Sequence, residues 1–218
     1  MTFSLLARDP ETGAFGGAAV TGNLCVGAWV LRGDARFGLS ASQGHTPSTL
    51  WGEDTLAHLA GGASAGEALS AVVGTDPGRE TRQLAVLDRH GATAVHDGAD
   101  NLPFTGHLAA PGWVVAGNWL ASSAVIERAA ETFAAPGRPF ADRLVAALRA
   151  GMAAGSDRRG TFSAALLVLA EDAPPLDLRV DFDAAPVDRL ADLLDRTRAT
   201  GYAAWLDTLP TRRKPFTT

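Results

Sequence analysis

The stretch that decides the fold is MTFSLLARDPETGAFGGAAV, residues 1–20. TFSLLAR (2–8) alternates as a strand does, and DPETG (9–13) is a turn built from Asp, Pro and Gly. AFGGAAV (14–20) then reads as the return strand. A hairpin of this kind, with small residues on its second arm, predicts an antiparallel sheet buried on at least one face. No charged n-region with an apolar h-region precedes it, and strand alternation starts at Thr2.

The pattern continues outward from that hairpin. LCVGAWVL (24–31) is expected as a third strand, RGDAR (32–36) as a turn and FGLSAS (37–42) as a fourth strand. The period then changes. STLWGEDTLAHLAG (48–61) has Leu50, Leu56, Leu59 and Ala60 near helical spacing, and Ser64-Ala65-Gly66-Glu67 has the form of a capping box. RQLAVLD (82–88) and ATAVHDG (92–98) read as a second hairpin, and WVVAGN (113–118) as another strand. Helices are expected from Ser122 or Ser123 to about Ala135, and from Phe140 to about Ala154. TFSAALLVLA (161–170) and LDLRVDF (176–182) are strands, and Pro186 opens the last helix. Runs of strands followed by runs of helices indicate an α+β layered domain, not a doubly wound parallel sheet. One domain over 2–210 and a loose tail over 211–218 are expected.

Composition narrows the function. The chain has 218 residues, 46% of them hydrophobic, and a formal net charge of −5. No basic run exceeds Arg212-Arg213-Lys214, which argues against nucleic acid as a partner. Lys214 is the only lysine, so no lysine base or Schiff base is expected inside the fold. Cys25 is the only cysteine, and within its apolar run it reads as a buried, inert thiol. No stretch approaches the length of a membrane span, and a cytoplasmic protein is expected. Asp54 and His58 fit a surface pair on one helix face better than a metal site. No metal or cofactor is expected, and apolar sheet faces suggest a homo-oligomer.

Four places remain as carriers of chemistry. Thr2 has the small side chain that permits Met1 removal, after which its α-amine would stand beside its own hydroxyl, a recognised nucleophile arrangement. The alternative is an ordinary first-strand threonine. SASQGHT (40–46) turns from a strand into a helix, where backbone N–H groups face a developing oxyanion and Gln43 and His45 would add side-chain donors. AGN (116–118) ends a strand in Gly117-Asn118, a possible amide donor or a simple turn cap. GSDRRG (155–160) places Asp157, Arg158 and Arg159 beside an apolar strand, as a structural clamp or as part of a site.

Taken in order, MTFSLLARDPETG, SASQG, TDPGRETRQLAVLD, AGNWL and GSDRRGTFSAALLVL resemble a bacterial and archaeal family catalogued as domain of unknown function 1028. The resemblance covers residues 2–182. That family is placed in the N-terminal-nucleophile (Ntn) hydrolase superfamily. The resemblance implies a four-layer αββα sandwich of two antiparallel sheets, with Thr2 as nucleophile and Gln43-Gly44 near the oxyanion. It makes Asn118 and Asp157 the next site candidates, and Arg159 a holder of an acidic substrate group or of Asp157. The activity implied is hydrolysis of a small amide substrate. A binding protein without catalysis, or an oligomeric one, is the rival expectation. None of the lysines that several Ntn hydrolases place near the nucleophile is available here, which leaves the α-amine as the base.

Overall fold

The computed structural model describes residues 1–155 and 160–216. Strands β1 (Thr2–Arg8) and β2 (Phe15–Thr21) form the expected hairpin in full register, from Thr2 opposite Thr21 to Arg8 opposite Phe15. Its turn is closed by its own groups. Asp9 N–H donates to Ala14 O (2.8 Å), Gly13 N–H to Asp9 O (2.9 Å), and Thr12 Oγ1 to the Asp9 carboxylate (2.6 Å). This explains how Asp9 is buried without a cation beside it.

Two antiparallel sheets follow. β3 (Leu31–Asp34), β4 (Gly38–Gly44), β5 (Arg82–Asp88) and β6 (Thr93–Asp97) make a four-stranded sheet in chain order. β7 (Gly106–Ala110), β8 (Trp113–Asn118), β9 (Ser163–Leu169) and β10 (Leu176–Val180) join the hairpin in a six-stranded sheet, ordered β10-β9-β2-β1-β8-β7. β1 therefore lies inside its sheet, between β2 and β8.

The two sheets pack face to face, and helices cover both outer faces. Inward residues Leu6, Phe15, Leu31, Leu39, Leu87 and Val114 form the core between the sheets. On the outer face of the larger sheet, Phe3, Leu5 and Val20 pack against α4 (Ala124–Ala134), α5 (Phe140–Ala154) and α6 (Pro186–Thr197). On the smaller sheet, Leu84 and Val86 pack against α2 (Thr49–Ala60) and α3 (Ala65–Gly74). The layers run helix, sheet, sheet, helix, as an α+β sandwich. Residues 3, 5 and 7 face helices while 2, 4 and 6 face the other sheet, the period-2 consequence of a pleated strand.

The capping box holds: Ser64 Oγ accepts from Glu67 N–H, and the Glu67 carboxylate accepts from Ser64 N–H (2.9 Å). The third expected strand does not form. Residues 26–29 make a helical turn, α1 (Val26–Trp29), and the strand starts only at Leu31, over residues expected to turn. Three long-range bonds explain this. Cys25 N–H donates to Asp181 O, Val26 N–H to Ser163 Oγ, and Ser163 Oγ–H to Asn23 O. These anchors override the apolar pattern and hold Cys25 at a left-handed φ of 58°, where the residue is half-buried rather than fully buried as expected. The edge strand β7 and the short helix α7 (Thr200–Leu206) carry no comparable sequence signal. Near the chain end, Arg213 N–H donates to Glu171 O, and Arg212 approaches Asp34 (3.5 Å). Asp54 and His58 are both exposed on α2. No described helix is long and apolar enough to cross a membrane. Among the described residues no cluster of His, Cys, Asp or Glu is placed to hold a metal.

Candidate active site

The inward faces of six strands change character in one direction. β1 reads Leu6, Ser4, Thr2; β2 reads Gly17, Ala19, Thr21; β8 reads Val114, Ala116, Asn118. β9 reads Leu167, Ala165, Ser163; β4 reads Leu39, Ala41, Gln43; β5 reads Leu87, Ala85, Gln83. Register aligns the polar ends: Thr2 lies opposite Thr21 and Asn118, Thr21 opposite Ser163, and Gln43 opposite Gln83. Six polar side chains thus gather at one end of an otherwise apolar interior.

Gln83, fully buried, organises two of the others, Gln43 and Asn118. Its two Nε2 protons are shared among three acceptors, Gly117 O (3.0 Å) and Gly106 O (3.2 Å) on the other sheet and Asp97 Oδ1 (2.6 Å). All three are acceptors only, so this end of the amide must be nitrogen. Its Oε1 then faces Gln43 Nε2 (2.6 Å) and, at 3.4 Å, Asn118 Nδ2. Gln43 Nε2 gives its second proton to Ala116 O (3.1 Å). Both Gln43 donors are therefore taken, and its Oε1 is buried without a partner. Where the sequence suggested a side-chain donor for an oxyanion, the network leaves an acceptor. Asp97 completes the chain outward through His107 Nδ1 (2.7 Å).

The hydroxyls around Thr2 can be assigned by counting protons. Thr21 Oγ1 lies 3.0 Å from Met1 O, a carbonyl that can only accept, so Thr21 donates there. Its single proton is then taken, and Thr2 Oγ1, 2.8 Å away, must donate to Thr21 Oγ1. Met1 itself is buried, packed with Phe3 in the core under α4 and α5. With Met1 in place, the Thr2 hydroxyl proton rests on another hydroxyl rather than on a base.

Gly44 ends β4 at φ 137°, and a Cβ there would stand 2.6 Å from Thr81 O, which restricts the position to glycine. Ser42 N–H donates away from β5, to Val30 O. Strand alternation turns the N–H of Gly44 the same way, past the end of β3. The His45 N–H is taken by Asn101 Oδ1 (2.9 Å), while the His45 side chain stays exposed. Thr2, Thr21, Gln43, Gly44 and His45 together line an open cleft of about 530 Å³, walled further by Asn23, Leu24, Val26, Trp29, Val30 and Pro47. That volume suits a small molecule. Two other hollows, one lined by Arg8, Thr12 and Arg36 and one by Asp34, Pro175 and Arg212, hold none of these groups.

The structure thus brings Thr2, Gln43, Gly44, His45 and Asn118 to one end of the sandwich. Asp157 and Arg159 lie outside the described residues. Sequence reading missed Gln83, Thr21 and Asp97. Gln83 and Thr21 were visible only as polar residues ending otherwise apolar alternations.

The model of a family of unknown function, DUF1028, matches residues 2–190. The chain belongs to the DUF1028 family. The crystal structure of a DUF1028 protein from Silicibacter pomeroyi has the same fold, with a TM-score of 0.95 and 43% identity over 99% of this chain and 94% of that one. No curated protein matches the chain. In this DUF1028 protein the cleft beside β1 is where the polar strand ends meet an opening.

Proposed function

We propose that this protein is an Ntn-type hydrolase of a small amide, with Thr2 as nucleophile once Met1 has been removed. The observation that carries the reading is the position of Thr2: first residue of an interior strand, in a cleft that Gly44 also lines.

Removal of Met1 changes the proton count at the site. Thr21 loses the carbonyl it donates to, and its proton becomes available to Thr2 Oγ1. The Thr2 hydroxyl is then released to its own α-amine, a group that titrates at roughly 7.7–8.0 in model peptides and is partly neutral near pH 7. The amine takes the Oγ1 proton as Oγ1 bonds to the amide carbonyl carbon. The carbonyl electron pair moves to oxygen, held by the Gly44 N–H. Collapse breaks the C–N bond, and the ammonium returns its proton to the leaving amine. Water, deprotonated by the same amine, then cleaves the Thr2 ester. Asn118, directly opposite Thr2 on the neighbouring strand, orients the terminus or the substrate.

Intact-mass spectrometry of the purified protein, before and after exposure to small activated amides, tests this. The expected result is a chain lacking Met1 that gains one acyl mass on residue 2, with Thr2→Ala folded and inert. A chain that keeps Met1 and still hydrolyses amides overturns the mechanism.

One observation favours a second reading, a non-catalytic binding protein of the same fold. Met1 is only 2% exposed and belongs to the core cluster. Losing a buried Met side chain costs on the order of 2 kcal/mol or more. Retained Met1 together with absent turnover would establish that reading.

A further inference from the structure

The cleft beside Thr2 differs from an ordinary polar active site in two respects. Among the described residues, no Asp, Glu, Lys or Arg lines it; its polar groups are hydroxyls, amides, a glycine backbone and one imidazole. Its mouth carries two large apolar side chains, Leu24 and Trp29, each 55% exposed. Both sit on the segment that refuses to form a strand. The bonds from Asn23, Cys25 and Val26 to Ser163 and Asp181 hold that segment as a turn over the cleft. Gly27 stands with room for no side chain, 2.9 Å from Ala165 Cβ at its missing Cβ, so the turn is pressed onto β9 and cannot slide. The pressing face carries Val26, which is buried, while Trp29 and Leu24 are left outward. Exposed apolar surface on this scale is unfavourable in water at about 25 cal/mol per Å², and here it borders a cleft large enough for a ring.

We propose that this cleft takes an amide bearing an apolar, ring-containing arm, with Trp29 and Leu24 as the specificity-determining side chains. The ring lies against the Trp29 indole and the Leu24 side chain, and the carbonyl end reaches Thr2 and Gly44. The word amide rests on the reading of Thr2 given above; the preference for a ring rests on the exposed Trp29 and Leu24 alone.

The two are separable by measuring binding in the full-length Thr2→Ala protein, which cannot turn over. Phenylacetamide, acetamide and a carboxylated amide of similar size, succinamic acid, are titrated by ligand-observed NMR. Phenylacetamide is expected to bind at least tenfold more tightly than either of the others. Trp29→Ala should reduce that ratio to within about threefold, and Trp29→Phe should restore most of it. Circular dichroism and size-exclusion chromatography of each variant check folding and assembly. Equal binding of the three ligands, preference for succinamic acid, or no saturable phenylacetamide binding overturns the proposal. So does a Trp29→Ala protein that loses a dimer while keeping the ligand ratio, since the indole then covers a second copy. If the ring preference stands but wild-type protein never forms an acyl adduct, the hydrolase reading fails alone. An adduct formed without ring preference fails this proposal alone.

Discussion

Replacement of Gln83 by Leu tests the reasoning behind the whole polar end of the sandwich. The side chains are similar in volume, so packing changes little. The hydrogen bonds do not survive. Gly117 O loses its 3.0 Å donor and Gln43 Nε2 loses its 2.6 Å acceptor, both within the buried interior, while the part-buried Gly106 O loses a 3.2 Å bond. Asp97 keeps His107 and partial contact with water, and the 3.4 Å bond from Asn118 is weak enough to leave aside. Two sealed groups left unpaired cost about 1–3 kcal/mol each, or roughly 2–6 kcal/mol together. About 1 kcal/mol returns through added apolar burial, which leaves an expected loss of about 3 kcal/mol. Urea denaturation followed by circular dichroism reads this directly. Gln83→Glu gives a sharper companion. The introduced carboxyl faces Asp97 and two carbonyls, acceptors to which it can offer a proton, and only one, when it is protonated. Burial and Asp97 both raise its pKa above the usual carboxylate range. Its folded-state pKa then exceeds its unfolded one, so stability is present at low pH and falls as pH rises through the folded value. A Gln83→Leu loss below about 0.5 kcal/mol, or a Gln83→Glu variant indifferent to pH, would refute the assigned amide orientations.

Three further outcomes follow from single contacts. Ser64→Ala removes the hydroxyl that accepts from Glu67 N–H and leaves the backbone half of the box, and should cost about 1 kcal/mol in the same denaturation assay. Gly38→Ala places a Cβ 2.1 Å from Leu87 O at a φ of 134°, so it should lower the thermal midpoint steeply, by more than about 2 kcal/mol equivalent. The Arg36 guanidinium, hydrogen-bonded to Asp34, holds the Asp34 carboxyl below its ordinary value. A depressed folded-state pKa gives stability that is present above the unfolded value, near 3.9, and lost as pH falls through the folded one. The stability gap between wild type and Asp34→Asn should therefore be full near pH 6 and shrink as pH drops below about 4.

The hairpin at 1–20 was legible because each of its signals is local: alternation, an Asp-Pro turn, small residues on the return arm. The capping box at Ser64 and the helix Phe140–Ala154 were legible for the same reason. The segment 24–31 was not, since its conformation is set by Ser163 and Asp181, more than 130 residues away, while its own apolar spacing also suits a strand. The site divides along the same line. Thr2, Gln43, Gly44 and Asn118 stand at strand ends beside turns, where sequence reading looks for chemistry. Gln83 stands at the start of RQLAVLD and passes for the polar flank of a strand. Only the second sheet, facing it, shows that its amide spans the interior. Which way the buried Gln43 amide is turned was likewise beyond the sequence, because Asp97 decides it at one remove through Gln83.

The polarity gradient gives a physical reason for the site to lie where it does. At one end of the interior, Leu6, Leu39, Leu87, Val114 and Leu169 meet and hold the sheets together by burial alone. In the middle, Ser4, Ala19, Ala41, Ala85, Ala116 and Ala165 are small, so the backbones of the two sheets come within reach of long polar side chains at the next step. Only there can Gln43 and Gln83 cross from β4 and β5 to the carbonyls of β8. A Leu at position 41 or 85 would wedge the sheets apart and break those crossings without touching a polar atom. The amides in turn cover the apolar core from the cleft, which lets the strand end at Thr2 stay open to a ligand while the interior behind it stays dry. Fold and site are therefore coupled through the small residues between them. Ala85→Leu should accordingly disturb Thr2 chemistry and ligand binding as strongly as it disturbs stability, whereas a cavity at the apolar end, such as Leu39→Ala, should cost about 2–5 kcal/mol and leave the cleft's ligand preference unchanged.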